Sequence, residues 1–294
     1  MRVRHWQSEA ELEVFVAEKC GFCLGVKNAI TLAKETLTRQ DVVYSLGPII
    51  HNQQVVDELS QDGLQTVDSV EEIPSGTVLI RSHGATRRQL QEITDKGLEI
   101  VDATCVLVKR LQRISHELNE QGYKVVIIGD SEHPEVQAII GYAHNVAVIG
   151  CRGDLDNLSG HGKLGVICQT TQSPDHFASM VSEIVRKGFS ELKIINTLCR
   201  EAIKRQESAV KLCERVDVMF VLGGLNSANT KKLAELCKKH NPRTFHLQSW
   251  GELDTSILRG AATAGVTAGA STPDRVIDEF VGRLRSHLDG GENA

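Results

Sequence analysis

The sequence predicts an α/β protein made of three similar lobes with mainly parallel sheets. Three observations point there. Short β-branched apolar runs alternate with amphipathic helical runs along most of the 294 residues, and continuous apolar strands set between helices belong to parallel sheets covered on both faces. Three times a strand or loop ends in Cys and a helix begins: at Cys23, at Cys105 in "DATC" and at Cys199 in "NTLC", each about one small α/β domain from the next. Three times an apolar strand ends near a His and a helical segment follows: "GPIIHNQ" (His51), "IRSHGAT" (His83) and "IIGDSEHPE" (His133). Ligands of open α/β sheets sit outside the carboxyl ends of the strands. All six residues therefore hold positions that can face one shared site.

In chain order, strands are expected at "DVVYSLG", "TVLIRS", "LEIVDA", "KVVIIG", "NVAVIG", "KLGVICQ", "LKIINT", "VDVMFVLG" and "AATAGVTA". Helices are expected over 24–38, 52–61, 87–96, 106–121, 174–187, 200–214, 229–239 and 274–288. The length stands at the upper edge of what one hydrophobic core usually serves, so two or three domains are expected. Apolar residues make up 41% and charged residues 24%, and the formal net charge is −5. That composition suits a globular, soluble chain and gives no reason to expect nucleic acid, whose binding needs clustered Lys and Arg. No apolar run reaches membrane-span length, and "MRVRHWQSEA" is too polar for a signal peptide. The tail "DGGENA" is expected to fray. Without an export signal the compartment reads as reducing, which makes structural disulfides among the eight cysteines unexpected.

The Cys20-x-x-Cys23 pair has several readings. A dithiol at a helix start is stabilised by the helix dipole, but it leaves Cys105 and Cys199 unexplained. A zinc site lacks a second ligand pair. Three separated thiolates can hold one iron–sulfur cluster and leave one iron open. Spacing alone favours the plainer reading, three small buried apolar residues. Any one of the histidines reads alone as structural; three at matching strand ends are harder to set aside. Glu135, two residues after His133, is either a proton donor or a first-turn glutamate favoured by the helix dipole. "GGLNSANTKK", "QTTQS" and "GVTAGAST" each follow a strand with small, hydroxyl-rich residues. They read as anion cradles or as plain helix caps.

Nine ordered motifs resemble one family, the 4-hydroxy-3-methylbut-2-enyl diphosphate reductases. They are "GFCLGV", "GPIIHN", "RSHG", "DATC", "GDSEHPEV", "QTTQS", "NTLC" with Arg205 and Gln206, "GGLNSANT" and "GVTAGASTPD", covering about residue 12 to residue 285. The resemblance implies three α/β domains in a pseudo-threefold trefoil around a central [4Fe-4S] cluster. They would run over 24–105, 106–198 and 199–288, with segment 12–23 packing on the last. Cys23, Cys105 and Cys199 match the cluster ligands. His51, His83 and His133 match the histidines around the substrate diphosphate. Glu135 matches the proton-delivering acid, and Thr170 a threonine that contacts substrate. Thr171, Ser227, Asn229 and Ser271 match further polar pocket residues. Cys20 stands where the family often has a small residue, so Cys23 is expected to work and Cys20 to be its neighbour.

The implied reaction is reductive dehydroxylation of an allylic diphosphate to isopentenyl and dimethylallyl diphosphate. The diphosphate would be held by His, Ser and Asn rather than by Arg. Electrons would come from a ferredoxin or flavodoxin, in the cytoplasm, with no nucleic acid or membrane partner. Val106, Ala202 and Ala228 depart from the family pattern, where Pro, Thr and Ser are common. A divergent paralogue acting on another allylic substrate, or a cluster-bearing redox sensor, are the alternative readings.

Overall fold

The computed structural model describes residues 12–289. The readings of the first ten residues and of the tail beyond Asp289 fall outside them. The chain opens with β1 (Glu13–Val16) and α1 (Leu24–Leu37). Next come β2 (Val43–Leu46), α2 (Gln53–Gln61), β3 (Leu64–Val67), β4 (Thr77–Ile80), α3 (Arg87–Asp95) and β5 (Glu99–Asp102). Strands β2 to β5 form one sheet in the order β3-β2-β4-β5. After α4 (Val106–Glu120) follow β6 (Lys124–Ile128), α5 (Pro134–Ile140), β7 (Val146–Ile149), β8 (Lys163–Cys168), α6 (Pro174–Val185) and β9 (Glu191–Ile194). These strands form a second sheet, β7-β6-β8-β9. Then come α7 (Arg200–Cys213), β10 (Val218–Leu222), α8 (Ala228–His240), β11 (Thr244–Leu247), β12 (Thr263–Ala268) and α9 (Asp274–Asp289). The third sheet is β1-β12-β10-β11.

Every pairing in the three sheets is parallel. The three share one plan. The first strand of each set (β2, β6, β10) and the third (β4, β8, β12) sit side by side at the centre. The second (β3, β7, β11) lies on one edge and the fourth (β5, β9, β1) on the other. In each case the helix after the fourth strand begins just past a cysteine: Cys105, Cys199 or Cys23. The chain divides into two compact units. Cys23–Ile203 holds the first two sheets, and the stretch before Cys23 joins the chain from Lys204 onward to hold the third.

Alternation explains why the central strands read as continuous apolar runs. In β6, Val126 and Ile128 face one apolar cluster while Val125 and Ile127 face another. In β10, Val218, Phe220 and Leu222 point one way, and Met219 and Val221 the other. Successive side chains of a strand point to opposite faces, and with helices on both faces each position must be apolar. The edge strands are more exposed than the central ones: β3, β5, β9 and β1 each expose at least one residue. Three of the edge strands, β1, β3 and β11, lie outside the strands expected from sequence, because four mixed residues carry too little apolar signal.

Gly165 sits mid-strand in β8, and a Cβ there would stand 2.8 Å from Leu118 Cδ1 of α4. Gly265 takes the same place in β12, where a Cβ would meet Met219 Sδ at 2.8 Å and Leu212 Cγ at 3.0 Å. A glycine inside a strand marks such close approach. Gly165→Ala is therefore expected to destabilise by about 1–3 kcal/mol through overpacking, despite the smaller unfolded-state gain from losing glycine's freedom. A lowered denaturant midpoint with unchanged slope checks it; an unchanged midpoint would show that α4 has room to shift.

Candidate active site

The strand plan sets the site residues at repeated positions. His51, His133 and Ser227 are each the fifth residue after the first central strand of their sheet. His83, Thr171 and Ser271 are each the third residue after the second central strand. The loops that carry them leave the carboxyl ends of adjacent parallel strands, where open α/β sheets bind ligands.

In the unit Cys23–Ile203 the three histidines meet. Ring centroids lie 4.7 Å apart for His51 and His83, 5.5 Å for His83 and His133, and 6.1 Å for His51 and His133. One ring nitrogen from each falls within 4.8 Å of the others. Local caps hold the rings. His133 caps α5, and its Nδ1 accepts the backbone N–H of Glu135 at 3.2 Å. The neutral ring therefore carries its proton on Nε2. His51 precedes Asn52, whose side chain caps α2. His83 is held by the turn at Gly84, with φ +84, ahead of a capping box between Thr86 and Gln89. Burial lowers the pKa of His83 well below the ordinary 6.5, and its neighbours His51, His133 and Arg81 push the same way. Burial and Arg81 lower that of His51. Neutral imidazoles are thus the resting state of these two.

Glu135 is 2% exposed. Its Oε1 accepts the backbone N–H of Thr170 at 2.7 Å, and its Oε2 accepts the Thr170 hydroxyl at 2.8 Å. The Thr170 carbonyl in turn accepts the backbone N–H of Cys199 at 2.8 Å. The repeat shows at the preceding sheet, where Cys105 donates its N–H to the Ser82 carbonyl at 3.0 Å, beside His83. Each of these two cysteines is thereby tied to a loop that carries a site residue. Thr171 lies beside Thr170, its hydroxyl accepting from Gln169 Nε2 at 3.3 Å.

The three cysteine side chains suit a cluster. All eight cysteines of the chain are free thiols, and Cys23, Cys105 and Cys199 are half-buried. Cys23 caps α1, its sulfur accepting the N–H of Val26 at 3.5 Å. Burial raises the pKa of Cys105, helix N–H groups of Leu107 and Val108 oppose that, and Cys23 and Cys199 are near enough to raise it further. Amide donors at a helix start stabilise a thiolate, which is what a bound iron requires. Gly25 leaves the space between two of them: a Cβ there would stand 3.1 Å from Cys105 Sγ and 3.9 Å from Cys23 Sγ. Among the described residues the histidines, not these cysteines, form a set tight enough for a single ion. Three soft thiolate donors are of the kind that holds an iron–sulfur cluster. Gly25→Ala is expected to lower the iron bound after anaerobic reconstitution while leaving the circular dichroism spectrum unchanged. Full iron content in that variant would show that the gap is not a cradle.

Cys20 packs instead with the apolar cluster around Leu12 and Ile277 in the other unit. Burial pushes its thiol pKa up. The turn beside it is fixed by Gly21, at φ +74, whose carbonyl accepts from Arg205 Nη2 at 2.6 Å. In that unit Ser227 caps α8 by accepting the N–H of Thr230 at 3.3 Å. Asn229 follows in the first turn, and Ser271 is buried in the loop after β12. A Cβ on Gly269 would stand 2.2 Å from Thr230 Oγ1, so the loop after β12 lies in close contact with the first turn of α8. Of the three departures, Val106 is the first residue of α4 and 75% exposed, where Pro and Val are both tolerated. Ala228 is the first residue of α8, beside a cap that Ser227 already makes.

Two residues at the site were not singled out from sequence. Gly25 hides inside "GFCLGV", and only the approach of Cys105 from another helix gives it meaning. Arg81 lies in "RSHG", but one arginine at a strand end reads as a surface charge.

Comparison with known proteins follows the same lines. The family described as LytB protein matches residues 14–285. A 4-hydroxy-3-methylbut-2-enyl diphosphate reductase of Geobacter metallireducens is 45% identical over 275 residues, 93% of this chain and 97% of that protein. The protein of the same name from Trichlorobacter lovleyi is 44% identical, covering 93% and 98%. A solved structure described as (E)-4-hydroxy-3-methyl-but-2-enyl diphosphate reductase, the terminal enzyme of the non-mevalonate pathway, aligns with TM-score 0.71 at 39% identity, covering 94% of this chain and 99% of that one. The Plasmodium falciparum E-1-hydroxy-2-methyl-but-2-enyl-4-diphosphate reductase structure aligns with TM-score 0.87 at 26% identity, covering 92% and 87%. With the family pattern spanning residues 14–285 and a relative 45% identical over 93% of the chain, this chain belongs to the LytB protein family.

Proposed function

We propose that this protein is a 4-hydroxy-3-methylbut-2-enyl diphosphate reductase that forms isopentenyl and dimethylallyl diphosphate. The observation that supports it best is the bond between Glu135 and Thr170, one backbone hydrogen bond from Cys199. It sets a buried carboxyl group next to a candidate cluster ligand, with three histidines on neighbouring loops.

Cys23, Cys105 and Cys199 would hold a [4Fe-4S] cluster, which when bound would supply electrons and a Lewis-acidic iron. The overall change balances as alcohol plus two electrons plus two protons giving hydrocarbon plus water. When Oε2 of Glu135 takes up a proton, the Thr170 hydroxyl 2.8 Å away turns from donor to acceptor, receives that proton and passes its own toward the leaving hydroxyl. His51, His83 and His133 donate hydrogen bonds to the diphosphate; in support, Nδ1 of His133 accepts the Glu135 N–H, which leaves the proton of the neutral ring on Nε2. Thr171, Ser227, Asn229 and Ser271 add polar contacts to the substrate. Electrons come from a small donor protein of the ferredoxin or flavodoxin kind. A reducing cytoplasm suits a chain whose eight cysteines are all free, and no helix among the described residues is long and apolar enough to cross a membrane.

The test is anaerobic turnover of cluster-loaded protein with a chemical reductant and mediator. Two isomeric five-carbon diphosphates are expected as products. Fully loaded protein that leaves the allylic alcohol intact would end this reading.

A further inference from the structure

The strand repeat exposes one residue that breaks it. The first residue after the second central strand is Arg81 in one sheet, Gln169 in the next and Gly269 in the third. The first residue after the first central strand is glycine in all three: Gly47, Gly129 and Gly223. That glycine clears space for the side chain opposite. A Cβ on Gly129 would meet Gln169 Cβ at 2.9 Å and Oε1 at 3.0 Å, and a Cβ on Gly47 would meet Arg81 Nη1 at 2.5 Å. Gly47 also sits at φ +68, so no other residue is comfortable there. Arg81 and Gln169 thus occupy equivalent seats under the site loops. Gln169 uses its seat to accept the N–H of Asp130 at 3.0 Å. Arg81 brings a permanent charge to the same place.

That charge has no carboxylate partner among the described residues, and burial is the force that lowers the guanidinium pKa. A desolvated, unpaired cation costs free energy that a bound anion recovers. The histidines beside it show the same vacancy: Nδ1 of His83 is buried with no hydrogen-bond partner. Three imidazoles this close would otherwise suit a divalent metal ion, but a neighbouring guanidinium repels one and attracts an anion.

We infer that Arg81, seated against Gly47, is the fixed cation of the three-histidine corner and determines its preference for a polyanionic phosphate ligand. The inference rests on the proposed function for the identity of that ligand, a diphosphate, and departs from the expectation that no arginine serves it. Burial keeps His51 and His83 neutral, with Arg81 pushing the same way, so they act as hydrogen-bonding groups. The charge that attracts the ligand is then the guanidinium, which does not titrate near neutral pH.

The test uses the full chain after anaerobic reconstitution and inorganic pyrophosphate as probe, with binding measured by calorimetry. Arg81→Gln is expected to weaken pyrophosphate binding at least about tenfold, one factor of ten being about 1.4 kcal/mol. It should raise the substrate KM by a similar factor with little change in kcat, because the lost interaction is made equally before and during reaction. Arg81→Lys, which keeps the charge, should recover most of the affinity. A merely structural arginine would instead lower stability and kcat together. Should Arg81→Gln fail to fold, Arg81→Lys decides: retained pyrophosphate affinity supports the inference, and a tenfold loss in a folded protein overturns it. Unchanged binding and KM in a folded Arg81→Gln overturns it while wild-type turnover keeps the proposed function standing. Stoichiometric zinc on the histidines of the wild type, displaced by His51→Ala, also overturns it. If wild type binds pyrophosphate through Arg81 but never reduces the allylic alcohol, the reductase reading falls and this inference stands.

Discussion

Glu135→Gln is expected to lower kcat by about a hundredfold to ten-thousandfold, the range carried by one positioned general acid, with KM nearly unchanged. The geometry sets that split. Both carboxylate oxygens are engaged by Thr170, one by its backbone N–H and one by its hydroxyl. A carboxamide keeps one acceptor for the backbone N–H. Its NH₂ group meets the Thr170 hydroxyl, which turns to accept, so the loop holding Cys199 stays in place. What disappears is an acidic proton beside that hydroxyl. If Glu135 were only a first-turn helix glutamate favoured by the dipole of α5, the variant would lose a little stability and keep its rate. Single-turnover kinetics with pre-reduced protein, read beside a thermal melt, separates these outcomes. A near-normal rate would remove Glu135 from the proton path.

The second large effect concerns the thiols. Cys23→Ser, Cys105→Ser and Cys199→Ser should each reduce iron and sulfide after reconstitution to a small fraction of wild type and abolish turnover. A serine oxygen is a harder, far more basic ligand than thiolate and holds iron–sulfur clusters poorly. The same change at Cys20 should leave the iron content intact, since Cys20 packs into the apolar cluster around Leu12 and Ile277. Cys168, Cys213 and Cys237 are buried among apolar side chains and should cost stability rather than iron. Loss of iron from Cys20→Ser together with retention in Cys199→Ser would overturn the ligand assignment.

Much of this was legible in the sequence because the signals are local. Runs such as "KVVIIG" and "VDVMFVLG" are apolar at each successive position because both faces of a central strand are covered, and no tertiary knowledge is needed to see it. The helix starts announce themselves through Asn52, Thr86, Ser173 and Ser227, whose side chains cap the helices that follow. The cysteines and histidines stand at strand ends, where parallel sheets present their ligands, so position made those six residues candidates, while their roles and the rest of the site came from the family resemblance.

Tertiary structure decided the rest. β1 reaches the third sheet by pairing with β12 across most of the chain length, Glu13 beside Thr263. No local pattern encodes a parallel pairing whose register depends on the strands between. The three sheets repeat one strand order, but that emerges only when the polar edge strands β3 and β11 find their neighbours. The Glu135–Thr170 bond, the space Gly25 leaves beside Cys105, and the seat of Arg81 against Gly47 each join residues far apart in sequence. Periodicity and capping act over a few residues and are written in the chain. Contacts between separate strand ends depend on how the sheets close, and that is why these three belong to the fold alone.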